Sequence, residues 1–217
     1  MLSNYVKQRE EIKNELKAIF ANLVYAHEIL NVSIKECDIN KFQEAKTYTV
    51  NMSNKINDLE NYIIKFLALY SPEARELRRF VAYLKITGEL LRMNSNTKSF
   101  ISGCINLKEI MDNKIISDYL FPLHTSTFNA LVKTKEMIDI DEEDELQDIF
   151  NKIIVEEHKT DDLYDLIEEQ VFSLDLEYKT LNQILKTFRK IEKIADRTIE
   201  IANLLLYYKI GGRLQNV

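Results

Sequence analysis

The chain has 217 residues, of which only four are Gly and two are Pro, and its formal net charge is −6. All-β proteins of this length need many Gly- and Pro-rich turns, so the composition excludes a β-sandwich or barrel, and the few glycines form no phosphate-binding loop. Because 46% of the residues are hydrophobic and 29% are charged, disorder is excluded and long amphipathic helices are favoured.

Six long helices are predicted, arranged as three helices, a linker and three more helices. Asp38 and Asp175 are expected to be N-caps. Ser71 is expected to cap the third helix, with Pro72 as its first residue. Gly211 with the following glycine forms a C-terminal stop. The predicted helices cover residues 4–35, 39–69, 72–110, 122–137, 139–174 and 176–210.

This layout predicts an all-α fold made of two pseudo-repeated three-helix bundles. Helices of roughly 30 residues joined by short connections pack as antiparallel neighbours. The first repeat is expected to cover residues 1–110 and the second repeat residues 122–217. Residues 111–121, which have the weakest helical pattern and lead into Pro122, are expected to link the two repeats.

Charge and hydropathy indicate a cytoplasmic protein. The N-terminal residues lack the apolar stretch of a secretory signal. The most apolar run, 201–210, is far shorter than the roughly 20 residues that span a bilayer. Two cysteines, Cys37 and Cys104, do not form a disulfide framework, so reduced thiols are expected. No basic tract stands out, and we expect no nucleic-acid binding.

Four carboxylates lie in or beside the apolar stripes of the last two helices. Glu192 falls inside the stripe of the sixth helix and Asp196 lies at its edge, four residues further on. Glu157 and Asp161 repeat this spacing on the fifth helix. Residues four apart project from the same face of a helix. Carboxylates facing one another in a core repel unless they protonate or share a cation, so the pattern predicts a metal site of hard oxygen ligands.

Two other interpretations of these acidic pairs remain open. Such pairs also form the solvated edge of a purely structural helical scaffold. A metal-dependent enzyme on a helical bundle is the other alternative, but the ferritin-like version needs Glu three residues before His. His27, His124 and His158 lack that Glu, and the first two are expected to be surface or boundary residues. The lack of this motif and of a clustered His, Ser or Cys nucleophile argues against the enzyme alternative.

Two runs of sequence carry a resemblance to a known family. The first, FLALYSPEARELRRFVAYLKITGELLR at 66–92, contains a Pro72-x-Ala74 turn followed by an acid-Leu-Arg triplet. The second, IEKIADRTIEIAN at 191–203, contains the acidic pair of the last helix. These runs resemble the PhoU family of phosphate-signalling regulators, and the arrangement of two times three helices is similar to that family.

The resemblance implies metal binding by acidic pairs on the second and third helices of each repeat. In the second repeat these are Glu157, Asp161, Glu192 and Asp196, and the cofactor is a metal ion or small metal cluster, with iron, manganese, magnesium or zinc as candidates. The first repeat departs from the pattern, so we predict that it lacks the cluster. Neutral residues occupy the corresponding positions, namely Ser53, Asn57, Leu91 and Ser95.

The resemblance also implies a function and partners. PhoU-family proteins are cytoplasmic adaptors without enzymatic activity that regulate phosphate transport and phosphate-starvation signalling through protein–protein contacts. The implied partners are a phosphate ABC-transporter ATPase and a sensor histidine kinase, or another phosphate transporter. A homodimer is expected, peripheral to the membrane only through its partners.

Overall fold

A computed structural model describes residues 2–111 and 114–211, and this part of the chain contains helices and no strand. The predicted all-α class is confirmed. None of the helices in these ranges is long and apolar enough to cross a membrane. The helices are α1 (Leu2–Glu36), α2 (Ile39–Val50), α3 (Met52–Tyr70), α4 (Ala74–Asn106), α5 (Lys108–Met111), α6 (Lys114–Glu136), α7 (Glu143–Phe172) and α8 (Tyr178–Lys209).

The second predicted helix is broken in two at Asn51. This residue has φ −96° and ψ 4°, outside the α-helical region, and it separates α2 from α3. The β-branched residues before it and Asn itself have low helix propensity, so the break has a local cause. The start of α2 agrees with the prediction, because Asp38 accepts a hydrogen bond from the Asn40 amide at 2.9 Å.

Two other predicted helix starts are wrong. Ser71 does not cap α4; it adopts a left-handed conformation and its amide donates to the Leu67 carbonyl at 3.0 Å, which ends α3. The helix therefore begins after Pro72, at Ala74. Asp175 does not cap α8, which begins at Tyr178, because a turn separates it from the helix. Gly211 has φ +96° and follows α8, as the predicted stop requires.

Most of the predicted linker 111–121 is helical. α6 begins at Lys114 and Pro122 lies within it, although a proline inside a helix removes a backbone hydrogen bond. Leu120 and Leu123 are completely buried, so tertiary packing of one helix face compensates for the local preference. Residues 112 and 113 of that segment lie outside the described residues.

The two halves of the chain share one hydrophobic core, because α4 packs against α8 and α1 packs against α6. α4 and α8 are antiparallel: Gly103 near the end of α4 lies beside Thr187 near the start of α8, and Tyr83 near the start of α4 contacts Tyr208 at the end of α8. A Cβ atom at position 103 would lie only 2.4 Å from Thr187 Oγ1. A glycine is therefore required for this close approach of the two helices.

A buried histidine pair connects the halves where α1, α4 and α6 meet. His27 Nδ1 lies 3.2 Å from His124 Nε2, and the rings stack with centroids 5.2 Å apart. The outer nitrogens also have partners: His27 Nε2 lies 3.0 Å from Thr97 Oγ1 and His124 Nδ1 lies 3.1 Å from the Asn31 amide. Both rings are fully buried, so the expectation of surface or boundary histidines is wrong.

Each ring is neutral in this arrangement. Burial lowers the pKa of His27 to about 3, and burial together with the neighbouring His27 lowers the pKa of His124 well below its usual value. A neutral imidazole donates a hydrogen bond at one nitrogen and accepts one at the other. Two neutral rings can therefore form the hydrogen bonds that run from Thr97 through His27 and His124 to Asn31. The sequence gives no signal for this pairing, because the two histidines are 97 residues apart.

Acidification is expected to destabilise the protein through these histidines. The unfolded chain binds a proton below about pH 6.5 while the folded chain does not, so each histidine removes about 2 kcal/mol of unfolding free energy between about pH 7 and pH 5. In His27→Gln, the fall in unfolding free energy from pH 7 to pH 5 is expected to be smaller than in the wild-type protein by the contribution of one histidine, whatever the stability of the variant at pH 7. Urea unfolding at both pH values measures this difference.

The exposed His158, whose side chain is 71% accessible, provides the matched control. His158→Gln is expected to change the pH dependence of stability by much less than His27→Gln does, because folding does not bury the His158 ring. A fall in unfolding free energy of the same size in His27→Gln and in the wild-type protein would contradict the assignment of a buried neutral histidine.

Candidate metal centre

The predicted acidic residues lie on two adjacent antiparallel helices, α7 and α8. The short turn after Phe172 places the middle of α7 beside the middle of α8. The Tyr164 hydroxyl on α7 donates to the Leu185 carbonyl on α8 at 3.4 Å. The Arg189 guanidinium lies 4.9 Å from the centre of the Tyr164 ring. These contacts fix the register in which the carboxylates of the two helices face each other.

Three of the four predicted ligands come together. Glu157, Asp161 and Asp196 each contribute one oxygen, and these three oxygens all lie within 4.8 Å of one another. Glu157 and Asp196 are half-buried, whereas Asp161 is exposed at the entrance. The group is therefore open to solvent on one side and lined by protein on the other.

Glu192 lies beside this group rather than in it. Its side chain is only 8% exposed, and the nearest cations are Arg189 Nε at 3.1 Å and Lys193 Nζ at 3.5 Å. Glu192 Oε2 is the oxygen that faces Arg189 Nε, at an angle that does not form a hydrogen bond. The Arg189 charge therefore compensates this buried oxygen, and a further cation at Glu192 would compete with the guanidinium group.

Basic side chains of α8 neutralise part of the acidic charge. Lys193 Nζ lies 3.0 Å from Asp196 Oδ2, which places the ammonium group between Asp196 and Glu192. Arg197 lies 3.8 Å from Asp196 and 3.3 Å from Glu89 on α4. Carboxylate spacing alone does not predict these cations, although Lys193 directly follows Glu192 in the sequence.

Glu157, Asp161 and Glu192 hold their protons more strongly than isolated carboxylates. Burial raises the pKa of Glu157, and the Asp161 and Asp196 carboxylates add to that rise. Burial also raises the pKa of Asp161, with a further contribution from Asp196. The pKa of Glu192 rises for the same two reasons, burial first and Asp196 second.

The donor set fits a hard cation. Carboxylate oxygens on facing helices are the ligands of metal sites in helical bundles, and they suit magnesium, manganese, calcium or iron. A divalent ion would offset the burial of Glu157 and the mutual repulsion of the three carboxylates. Within the described residues, no other group of three His, Cys, Asp or Glu side chains has this geometry.

The whole chain is similar in fold to proteins of known structure. It superimposes on the phosphate transport system regulatory protein PhoU from Streptococcus pneumoniae with a TM-score of 0.82 and 15% sequence identity, over 98% of this chain and 100% of that one. The chain also superimposes on PhoU from Pseudomonas aeruginosa with a TM-score of 0.81 and 16% sequence identity, over 96% of this chain and 100% of that one. The chain has the PhoU fold.

A putative PhoU-like phosphate regulatory protein from Shewanella oneidensis is also similar, with a TM-score of 0.66 and 16% identity over 89% of this chain and 96% of that one. The sequence matches no protein-family model and no curated protein sequence. The resemblance seen in the two sequence runs is therefore confirmed at the level of the fold, and the sequence has diverged far from these structures.

In the first half of the chain, a neutral contact connects α3 and α4. The Asn94 amide nitrogen on α4 donates to Ser53 Oγ on α3 at 3.0 Å. Asn57, one turn after Ser53, and Ser95, one turn after Leu91, are exposed. Ser53 is one of the positions where the family pattern leads to a carboxylate, so a neutral hydrogen bond connects these two helices.

Removing one charge from the acidic group is expected to stabilise the metal-free protein. The pKa of Asp161 is higher in the folded than in the unfolded state, so its contribution to stability is present at low pH and is lost as the pH rises through the folded pKa. In the presence of a chelator, Asp161→Asn should therefore melt at a higher temperature than wild type near pH 7 and at the same temperature near about pH 4.

Asp162→Asn serves as the control, because Asp162 is exposed and lies about 100° around the helix from Asp161. This variant is expected to show no such pH-dependent difference in melting temperature. Equal melting temperatures of Asp161→Asn and wild type at pH 7 would contradict mutual repulsion within the acidic group.

Proposed function

We propose that this protein is a PhoU-type adaptor that regulates phosphate transport and phosphate-starvation signalling. The observation that carries the proposal is the extent of the structural match: 98% of this chain superimposes on the full length of the phosphate transport system regulatory protein PhoU from Streptococcus pneumoniae. Because both halves of the chain match, the likeness extends to the whole fold of that regulator and not to a single helical bundle alone.

The proposed adaptor works in the cytoplasm, as a homodimer, and acts by docking. Its partners are a phosphate ABC-transporter ATPase and a sensor histidine kinase, or another phosphate transporter, and it reaches the membrane only through them. A non-enzymatic role is supported by the side chains: His27 and His124 are buried and neutral, and burial raises the pKa of the Cys104 thiol, which disfavours the reactive thiolate.

The adaptor role is tested by deleting the gene in its native host. We expect expression of phosphate-starvation genes to rise in phosphate-rich medium, because the restraint on the sensor kinase is lost. An affinity-tagged copy should restore repression and co-purify with a transporter subunit or the kinase. Unchanged reporter expression, together with a purification that yields neither partner, would contradict the proposal.

We also propose that Glu157, Asp161, Glu192 and Asp196 bind a metal ion or small metal cluster. The support comes from the carboxylates of Glu157, Asp161 and Asp196, which each place one oxygen within 4.8 Å of the others, and from the buried Glu192 carboxylate, whose pKa is raised by burial and by Asp196. Lys193, whose ammonium group lies between Asp196 and Glu192, would have to give up these contacts for a metal ion to be held there. Iron, manganese and magnesium match these oxygen ligands best, with zinc as a further candidate.

Metal binding is tested with protein purified without chelator. Elemental analysis is expected to find bound metal, and excess Mn²⁺ should raise the melting temperature of the chelator-treated protein because the ion binds only the folded state. Asp161→Asn and Glu192→Gln should reduce this rise, whereas Asp162→Asn should retain it. A wild-type protein without bound metal and without a thermal shift would contradict the metal site while leaving the adaptor role intact.

A further inference from the structure

A groove between the end of α4 and the start of α8 is lined by positively charged side chains and by no carboxylate. Its lining combines three lysines with four residues that have small or neutral polar side chains and one glycine, and it encloses about 360 Å³. No carboxylate lines it, although the whole chain has a net charge of −6. The lining residues are Ser99, Gly103, Lys179, Asn182, Gln183, Lys186, Thr187 and Lys190.

The spacing of these residues creates a continuous stripe. Lys179, Gln183, Lys186 and Lys190 recur at intervals of three and four positions, so they lie on one face of α8. With a rise of 1.5 Å per residue, the stripe from the first to the last lysine is about 16 Å long. Lys186 and Lys190 lie one turn apart, close enough to contact the same or neighbouring anionic groups.

The floor of the groove is fixed by the closest contact between the two halves. Gly103 of α4 lies against the buried Thr187 of α8, leaving no room for a Cβ atom. Thr187 Oγ1 is itself held by the Gln183 carbonyl at 2.7 Å. The donors on the two walls therefore project from a rigid helix pair and need little reorganisation to bind a ligand.

The groove lysines differ from the other cations of α8 in having no acidic partner. Arg189 and Lys193 pair with Glu192, and Arg197 pairs with Glu89. Throughout the described ranges 2–111 and 114–211, no carboxylate forms an ion pair with Lys179, Lys186 or Lys190. Three ammonium groups along one groove repel one another, and a multivalent anion relieves that repulsion.

We propose that this groove binds a small molecule containing a linear chain of phosphate groups. All three lysines, the two amides and the Ser99 hydroxyl can donate hydrogen bonds to oxyanions. The stripe is too long for one orthophosphate ion but matches consecutive phosphates. No aromatic side chain lines the groove, so the phosphate chain alone is recognised and an attached nucleoside adds nothing. This site is separate from the acidic group and does not rest on the proposed adaptor role.

Calorimetric titration of the purified full-length protein with tripolyphosphate, in metal-free buffer at about 50 mM salt, tests the proposal. We expect micromolar binding that weakens strongly at about 300 mM salt, because screening shortens the range of the lysine charges. ATP should bind with similar affinity, and orthophosphate about tenfold or more weakly, since it contacts fewer of the lysines.

The double variant Lys186→Gln/Lys190→Gln is expected to bind tripolyphosphate about tenfold more weakly. Lys46→Gln/Lys65→Gln, which makes the same charge change at exposed positions outside the groove, should bind as wild type does. Asn182→Asp, which places a negative charge in the groove, should also weaken binding. Unchanged melting temperatures of these variants show that the fold is retained.

Three results would overturn the proposal. The first is the absence of tripolyphosphate binding by the wild-type protein at low salt. The second is equal affinity of the wild-type protein and the Lys186→Gln/Lys190→Gln variant. The third is tighter binding of a hexaglutamate peptide than of tripolyphosphate, with loss in the same variant, which would assign the groove to an acidic segment of a protein partner.

Discussion

The burial of α8 is the constraint on which the other features depend. This helix packs against α4 of the first half and against α6 and α7 of the second, and most of its residues are buried. Its C-terminal end is held by Lys209, whose ammonium group binds the Ile138 carbonyl at 3.0 Å and Asp141 at 3.3 Å in the connection between α6 and α7. A helix enclosed on three sides can present charged groups only where a neighbour leaves a gap.

Two such gaps have opposite charge. Glu157, Asp161 and Asp196 lie in the gap between α7 and α8. Three lysines line the gap between α4 and α8. Arg197 connects the two interfaces, because its guanidinium contacts Asp196 in the acidic group and Glu89 on α4. One side chain therefore forms ion pairs with both the acidic group and the first half of the chain.

The sequence predicted the layout of six long helices and the acidic residues because both depend on spacing within one helix. Apolar stripes and E-x-x-x-D pairs follow the helical period. It did not predict the break at Asn51 or the continuation of α6 through Pro122. At those positions local preference and tertiary packing compete, and a single sequence does not show which one is stronger.

The sequence by itself determined the all-α class, the repeated three-helix order and the faces on which the carboxylates lie, because these follow from composition and periodicity. Only the tertiary structure decided which of those faces meet. It brought Glu157, Asp161 and Asp196 together, left Glu192 beside Arg189, and paired His27 with His124. Contacts between residues distant in the chain depend on helix register, which is set by packing such as that of Gly103 on Thr187.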